Sequence, residues 1–292
     1  MEEGGSLRAF REPSDPQLGG EGNQDGGKQR TGEEEEEDKG EGSAGKKRKK
    51  EGESSAGKKP PTKVCYGTGS ILHSCDRFTL VFSVAHTFAS FRPAGDGPGG
   101  APLVVEGTKV LAEFFDGSVC DASIQAIGWS HDMAIIMVMP SRTYRAVKFI
   151  DHTCSAMGFS AHDRETRIYS ICTFPADPIN ALFATALSGK ICGPPRRGRD
   201  IDPSLHRELR MFEFLMDGAT GCSGAPLFTA TRQVMGMWTS HVGELKFGVL
   251  VESMCEWLRS TYNIQEQTSM KHVVPRLVSI YLEHLRLLDL ST

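Results

Sequence analysis

The stretch MDGATGCSGAPLF, from Met216 to Phe228, places a cysteine and a serine side by side in a glycine-rich turn. Either Cys222 or Ser223 could serve as a nucleophile. A serine hydroxyl is a weak nucleophile and needs a neighbouring base, which is itself oriented by a third group. The stretch therefore predicts hydrolytic chemistry only if a histidine and a carboxylate occur in suitable positions elsewhere in the chain.

Both partners occur, each beside an apolar run. LVFSVAHTF places His86 directly after a Val- and Phe-rich segment, and HDMAIIMV places Asp132 at the start of another. Each residue alone has an ordinary structural explanation, because the chain contains nine histidines. His131 adjoins Asp132 but stands at the wrong point in the chain to replace His86. The joint order His86, Asp132, Ser223, each in its strand context, favours a catalytic triad.

The segment GCSGAP, Gly221–Pro226, has the form G-x-S-G-x-P and resembles the nucleophile loop of chymotrypsin-like serine peptidases, which share the triad order. FFDGSVCDASIQAIGWSHDMAIIMV and ALSGKI resemble the HtrA/Deg branch of that family. The resemblance covers roughly residues 62–262. It implies an all-β fold of two six-stranded barrels with C-terminal helices and the triad in the cleft between the barrels. HtrA proteins usually carry a PDZ domain, for which the residues after Ile264 are too few.

The resemblance also implies the role of each residue in a serine endopeptidase. Ser223 attacks the scissile carbonyl to give an acyl-enzyme, His86 takes its proton and passes it to the leaving amine, and Asp132 orients the imidazole. The backbone N–H groups of Gly221 and Ser223 form the oxyanion hole. If Cys222 were the nucleophile, the residues around it would not be the glycines that the motif requires.

Candidate substrate-binding residues lie on two segments. Asp217 stands six residues before Ser223, the spacing at which trypsin-type enzymes hold the carboxylate that pairs with a basic P1 side chain, on the acyl side of the scissile bond. The strand RMFEFLM runs directly into Asp217 without the loop that those enzymes insert, so the alternative is that this residue faces solvent or caps the turn at Gly218. Asp217 would lie on one wall of the pocket for the P1 side chain. The other wall is expected to come from GMWTS, with the candidates Met237, Trp238, Thr239 and Ser240. We favour a small or medium apolar P1 residue, with a basic one as the alternative.

The first 61 residues differ in composition from the rest. They contain almost no large apolar side chains, and their charges form an acidic block at Glu33–Asp38 and a basic block at Lys46–Lys50. Such a segment cannot bury enough apolar surface to offset the entropy of ordering it, so residues 1–61 are predicted to be a disordered tail. The basic block is either a nuclear import signal or a solvated charge run.

The beginning of the chain, MEEGGSLRAF, is acidic and lacks the apolar region of a signal peptide. We therefore expect an intracellular protein, nuclear or cytoplasmic, and not a secreted one. In a reducing compartment the eight cysteines are expected to be free thiols. The groupings HSC (73–75) and HTC (152–154) lack the CxxC pairing of a structural zinc site, so neither a metal nor a cofactor is expected.

Residues 62–264 are predicted to form the peptidase domain, because many short apolar runs alternate with glycine-rich turns. The Asp116–Gly117 pair between two such runs predicts a hairpin. Residues 265–292 are predicted to form an amphipathic helical extension, since their apolar residues recur every three or four positions from Leu277 to Leu288. That helix either docks on the barrels or mediates self-association.

The charges of the whole chain nearly balance, with 33 basic and 37 acidic residues. Nothing in the core therefore indicates nucleic-acid or membrane binding, and the expected partner is a protein or peptide substrate. Two other functions stay open. One is a catalytically inactive peptidase-fold binding module, and the other is an interaction protein that acts through its charged tail.

Overall fold

The computed structural model describes residues 4–11, 63–91, 104, 108–151, 166–174, 182–218, 220–242, 244–265 and 269–291. Both charged blocks of the N-terminal segment lie outside these ranges, as do His152 and Cys154. Within the ranges, no helix combines the length and the apolar character needed to span a bilayer.

Six strands build the first barrel: β1 Gly4–Arg11, β2 Lys63–Ser74, β3 Thr79–Ser83, β4 Thr108–Phe114, β5 Val119–Gly128 and β6 Met133–Val138. They pair in the closed order β1-β2-β3-β6-β5-β4, and all pairings are antiparallel. The expected hairpin joins β4 to β5. Gly117 supplies its positive φ of 81°, and the Asp116 carboxylate accepts the backbone N–H of Ser118 at 3.0 Å.

The strand β1 lies inside the segment that composition predicts to be disordered, so for Gly4–Arg11 that prediction does not hold. The strand pairs with β2 along its whole length and with β4 over Gly5–Arg11. Composition reflects what side chains can bury, whereas a closing strand is held by backbone hydrogen bonds on both edges, and any residue except proline supplies them.

Seven strands build the second sheet: β7 Arg167–Phe174, β8 Leu182–Ile191, β9 Arg196–Arg197, β10 Arg210–Met216, β11 Pro226–Phe228, β12 Val234–Val242 and β13 Leu245–Leu250. Six of them follow the order β13-β12-β11-β7-β8-β10, and the pairing of β10 with β13 closes the ring. The two-residue β9 adds to β10. The expectation of an all-β fold with two six-stranded barrels is confirmed, and the strand order is that of the chymotrypsin-like fold.

Two helices follow the second barrel, α1 Val251–Thr261 and α2 Met270–Ser291. One face of α2 is buried, with Val273 fully covered and Tyr281 6% exposed. The Tyr281 ring lies 6.1 Å from that of Phe78, which precedes β3, and its hydroxyl is 2.7 Å from that of Tyr262. The helix therefore docks on the body of the protein, although Leu290 near its end is 77% exposed.

The strand β3 is buried on both faces, and this fixes the segment that leads into the site. All five of its residues are buried. Val81 belongs to the interior of the first barrel, whereas Phe82 points the other way and meets the Trp257 indole of α1 edge-on at 5.6 Å. Burying one such side chain contributes about 1.5–3 kcal/mol. The chain therefore leaves β3 in a defined direction, and His86 follows three residues later.

Candidate active site

Asp132 lies between a short 3-10 turn, Trp129–His131, and the strand β6. Its backbone is left-handed, with φ 54° and ψ 44°, a conformation that aspartate tolerates better than most residues. The residue is only 7% exposed, and its carboxylate accepts hydrogen bonds from three groups. Two come from His86, from the backbone N–H at 2.9 Å and from Nδ1 at 2.8 Å, and the third comes from the Thr239 hydroxyl. Asp132 is thus held rigidly against the histidine ring.

His86 opens the 3-10 turn His86–Phe91, and its side chain is 43% exposed toward a cleft. Partial burial lowers the pKa of His86, but the hydrogen bond to Asp132 and the charge of that carboxylate together outweigh this effect. The pKa of His86 is therefore raised above its usual 6.5. Because Nδ1 faces Asp132, Nε2 is the nitrogen left to exchange a proton with another group.

Ser223 lies in the loop between β10 and β11 and is partly exposed in the same cleft. The loop bends through glycines with positive φ on both sides of the serine, 101° at Gly221 and 89° at Gly224. The Ser223 hydroxyl donates to the carbonyl of Thr239 at 3.4 Å. Among the described residues it makes no hydrogen bond to His86, so in this resting arrangement the serine is turned away from the base.

Thr68 of β2 ties the serine loop to the first barrel. Its backbone N–H donates to the Ser223 carbonyl at 2.8 Å, and its hydroxyl donates to the Gly221 carbonyl at 2.7 Å. The contact is so close that a Cβ on Gly224 would lie 2.0 Å from the Thr68 carbonyl oxygen. That oxygen also accepts the Ser83 hydroxyl at 2.7 Å. The position of the serine loop is therefore determined by the first barrel as well as by the second barrel, to which the loop belongs.

Within the described residues, the backbone N–H groups of Gly221 and Ser223 have no hydrogen-bond partner. The neighbouring N–H groups of the loop do have partners, since that of Gly224 donates to the Trp238 carbonyl at 2.7 Å and that of Ala225 to the Cys222 carbonyl at 2.9 Å. Unpartnered backbone donors beside a serine at a cleft suit an incoming oxyanion.

The Cys222 side chain points away from the cleft into the protein core, where it is 1% exposed. It contacts Cys172 of β7, and this contact, together with burial, raises the pKa of the Cys172 thiol. The Cys222 thiol is itself buried, which keeps it out of contact with the cleft. Of the two neighbours in the loop, Ser223 is the one within reach of a substrate.

The cleft that contains His86, Asp132 and Ser223 has a volume of about 830 Å³. Three of the candidate substrate-binding residues line it, namely Trp238, Thr239 and Ser240. The other two do not. The Met237 side chain is fully buried in the core, because it points to the opposite face of β12 from its neighbour Trp238. Asp217 is exposed beyond the end of β10 and is absent from the cleft wall.

Several cleft residues carry no signal in the sequence. They come from a 3-10 turn, a loop and the strands β12 and β13, and they are Trp129, Asp202, Ser204, Leu205, His241 and Lys246. The Thr239 hydroxyl bond to Asp132 was equally unexpected, because these residues are 107 positions apart. Only the pairing of the two barrels brings them together, and no local motif records it.

No protein-family model and no curated protein matches the chain. Solved structures that resemble it include those of Rv3671c from M. tuberculosis. A serine-to-alanine mutant of that protein, in its inactive form, gives a TM-score of 0.49 at 19% identity over 70% of this chain and 84% of that chain. The Rv3671c protease in its active form gives 0.46 at 20% identity over 67% and 73%. This likeness concerns the fold alone.

Proposed function

We propose that the chain is a serine endopeptidase that cleaves peptide bonds through an acyl-enzyme on Ser223. The observation that carries this proposal is the pairing of His86 Nδ1 with the Asp132 carboxylate at 2.8 Å, at the wall of the cleft that Ser223 also lines. A histidine oriented by a carboxylate next to a serine is the arrangement that serine nucleophiles require.

In this mechanism His86 is the general base and then the general acid. The hydrogen bond from Nδ1 to Asp132 selects the tautomer in which Nε2 accepts the serine proton. The raised pKa of His86 makes the ring a stronger base, and the carboxylate stabilises the imidazolium that forms. The ring then gives its proton to the leaving amine.

Before Ser223 can attack, its hydroxyl must exchange the hydrogen bond to the Thr239 carbonyl for one to His86. Its hydroxyl donates to the Thr239 carbonyl over a long 3.4 Å, which is a weak bond to break. Rotation about the Cα–Cβ bond moves a serine hydroxyl between staggered positions, and catalytic hydrogen bonds often tighten only when substrate binds. The free N–H groups of Gly221 and Ser223 would receive the carbonyl oxygen as it becomes negative, each contributing about 2.7–4 kcal/mol.

A second function is a peptidase-fold module that binds peptides in the cleft without cleaving them. The bond from Ser223 to Thr239, in place of one to His86, favours this reading. The two functions differ in whether the serine hydroxyl becomes nucleophilic, so a reagent that reacts only with activated serines separates them.

The test is labelling of the purified chain with a fluorophosphonate probe, followed by mass spectrometry of the labelled peptide. We expect one adduct on Ser223, and we expect it to be lost in Ser223→Ala and in His86→Ala. Cys222→Ala is the matched control, since it changes the neighbouring residue but leaves the serine and should still label. A folded wild-type chain that binds peptides but takes up no probe would support the binding module instead.

A further inference from the structure

Trp238 and Gly218 both line the cleft, and the Trp238 indole packs directly against that glycine. A Cβ added to Gly218 would lie 2.3 Å from Cη2 of the indole and 2.8 Å from Cζ2. The tryptophan is only 4% exposed although it lines the cleft. The six-membered ring therefore lies against Gly218, where a glycine leaves room for it.

The indole is held from several sides. Phe214 of β10 packs against it edge-to-face, with ring centroids 5.0 Å apart and an interplanar angle of 87°. The Trp238 backbone donates to the Ala225 carbonyl at 2.9 Å and accepts the Gly224 N–H at 2.7 Å. The ring thus packs in the core of the second barrel, and the backbone of the same residue is bonded to the serine loop.

The position of the ring matters because of where a substrate would sit. A carbonyl bonded to the N–H groups of Gly221 and Ser223 places the side chain on its acyl side beside the serine loop. Two chain segments that line the cleft flank this position, Gly218 with Thr220 on one side and Trp238–Ser240 on the other. The Trp238 indole occupies the depth between them.

We propose that Trp238 closes the pocket for the P1 side chain, so that the site accepts only small residues such as alanine, serine and glycine. This inference rests on the proposed peptidase function. A leucine or phenylalanine would collide with the indole. A lysine or arginine would not reach the Asp217 carboxylate, because Asp217 is exposed outside the cleft wall and lies next to Gly218, which the ring covers.

The test compares peptide substrates that differ only at P1, with alanine, leucine, phenylalanine or arginine before a fluorogenic amide. Wild type is expected to cleave after alanine at least about tenfold faster, in kcat/KM, than after leucine or phenylalanine. Trp238→Ala is expected to reverse this order. Equal or faster wild-type cleavage after phenylalanine or arginine would overturn the inference.

Trp257→Ala is the matched control, because Trp257 is also 4% exposed but packs against Gly128 and Phe82, away from the cleft wall. It removes an equally buried indole and should keep the wild-type P1 order. A similar change of order in both variants would mean that general loosening of the core, and not the emptied pocket, alters selection, and the inference would be wrong.

Two further measurements keep the outcome clear. If Trp238→Ala does not fold, wild type alone decides, through competition of peptide boronic acids carrying alanine-like or phenylalanine-like side chains against the fluorophosphonate probe. Preferential protection by the alanine-like inhibitor supports the closed pocket, and preferential protection by the phenylalanine-like one contradicts it. Absence of probe labelling in wild type refutes the peptidase proposal itself, whereas labelling without P1 selection refutes only the role of Trp238.

Discussion

The Thr239 hydroxyl donates a hydrogen bond to Oδ2 of Asp132, which joins the second barrel to the first across 107 residues of sequence. The same carboxylate oxygen receives Nδ1 of His86 at 2.8 Å. Thr239 also offers its backbone carbonyl to Ser223. One residue of the second barrel therefore contacts two of the three members of the proposed triad.

Thr239→Val should lower kcat/KM by about 10- to 100-fold, because a hydrogen bond to a carboxylate contributes about 1.5–3 kcal/mol and its loss frees Asp132 to move. Valine keeps the backbone carbonyl and a similar shape. Thr239→Ser keeps the hydroxyl and should retain most of the activity. Steady-state kinetics of both variants, beside their melting temperatures, checks this, and equal activity of Thr239→Val and wild type would contradict it.

Activity should fall on acidification with a midpoint above pH 6.5. The reaction needs neutral His86. Because the pKa of this residue is raised, its ring takes up a proton at a pH above 6.5. Asp132→Asn removes the charge that raises the pKa, so the midpoint should move to lower pH while the maximal rate falls. The profile of kcat/KM against pH measures both effects, and a wild-type midpoint below 6 would contradict the role of His86.

His131 gives a second, independent titration. Burial and the neighbouring His206, whose ring stacks on it at 4.2 Å, lower the pKa of His131 to about 4. The unfolded chain binds this proton near pH 6.5 and the folded chain does not, so stability should decline as the pH falls from 6.5 toward 4. His206→Ala should raise the NMR titration midpoint of His131, which burial still keeps below 6.5. An unchanged midpoint would show that the stacking has no electrostatic effect.

The docking of α2 can be tested at one hydroxyl. Tyr281→Phe removes the 2.7 Å bond to Tyr262 and leaves the ring against Phe78. The expected loss is about 1 kcal/mol of unfolding free energy, or about 2–4 °C in melting temperature. Tyr169→Phe, at a tyrosine that is 39% exposed, is the matched control and should change little. Truncation after Ile264 should destabilise the protein much more, because it removes the buried face of α2.

Local sequence was sufficient for the parts of the site that depend on local chemistry. The glycines around Ser223 are needed for positive φ, and the apolar runs beside His86 and Asp132 form the buried strands β3 and β6, so each residue carried a readable context. The Asp116–Gly117 hairpin was readable for the same reason.

The cleft wall could be predicted only in part, because it depends on which way each strand residue faces. The pairing of β12 with β13 shifts between Trp238 and Ser240, and such an irregularity changes which side chains face the cleft. Met237 and Trp238, both expected on the wall, point to opposite faces by ordinary strand alternation, whereas the shift accounts for three consecutive residues, Trp238 to Ser240, on the cleft wall. A bulge is decided by the partner strand, so a single segment does not reveal it.

The strand β1 closes the first barrel from a part of the chain that is distant from the other strands in sequence. Gly4–Arg11 completes the ring by pairing with β2 and β4, although residues 12–62 separate it from β2 in the sequence. Pairing strands so far apart in sequence carries a modest additional entropic cost, since that cost grows only logarithmically with the number of residues between them. A cut within residues 12–62 would leave β1 held to the barrel by its pairing with β2 and β4 and no longer by a peptide bond. The segment GGSLRAFR would then be a ligand that completes the barrel by strand addition.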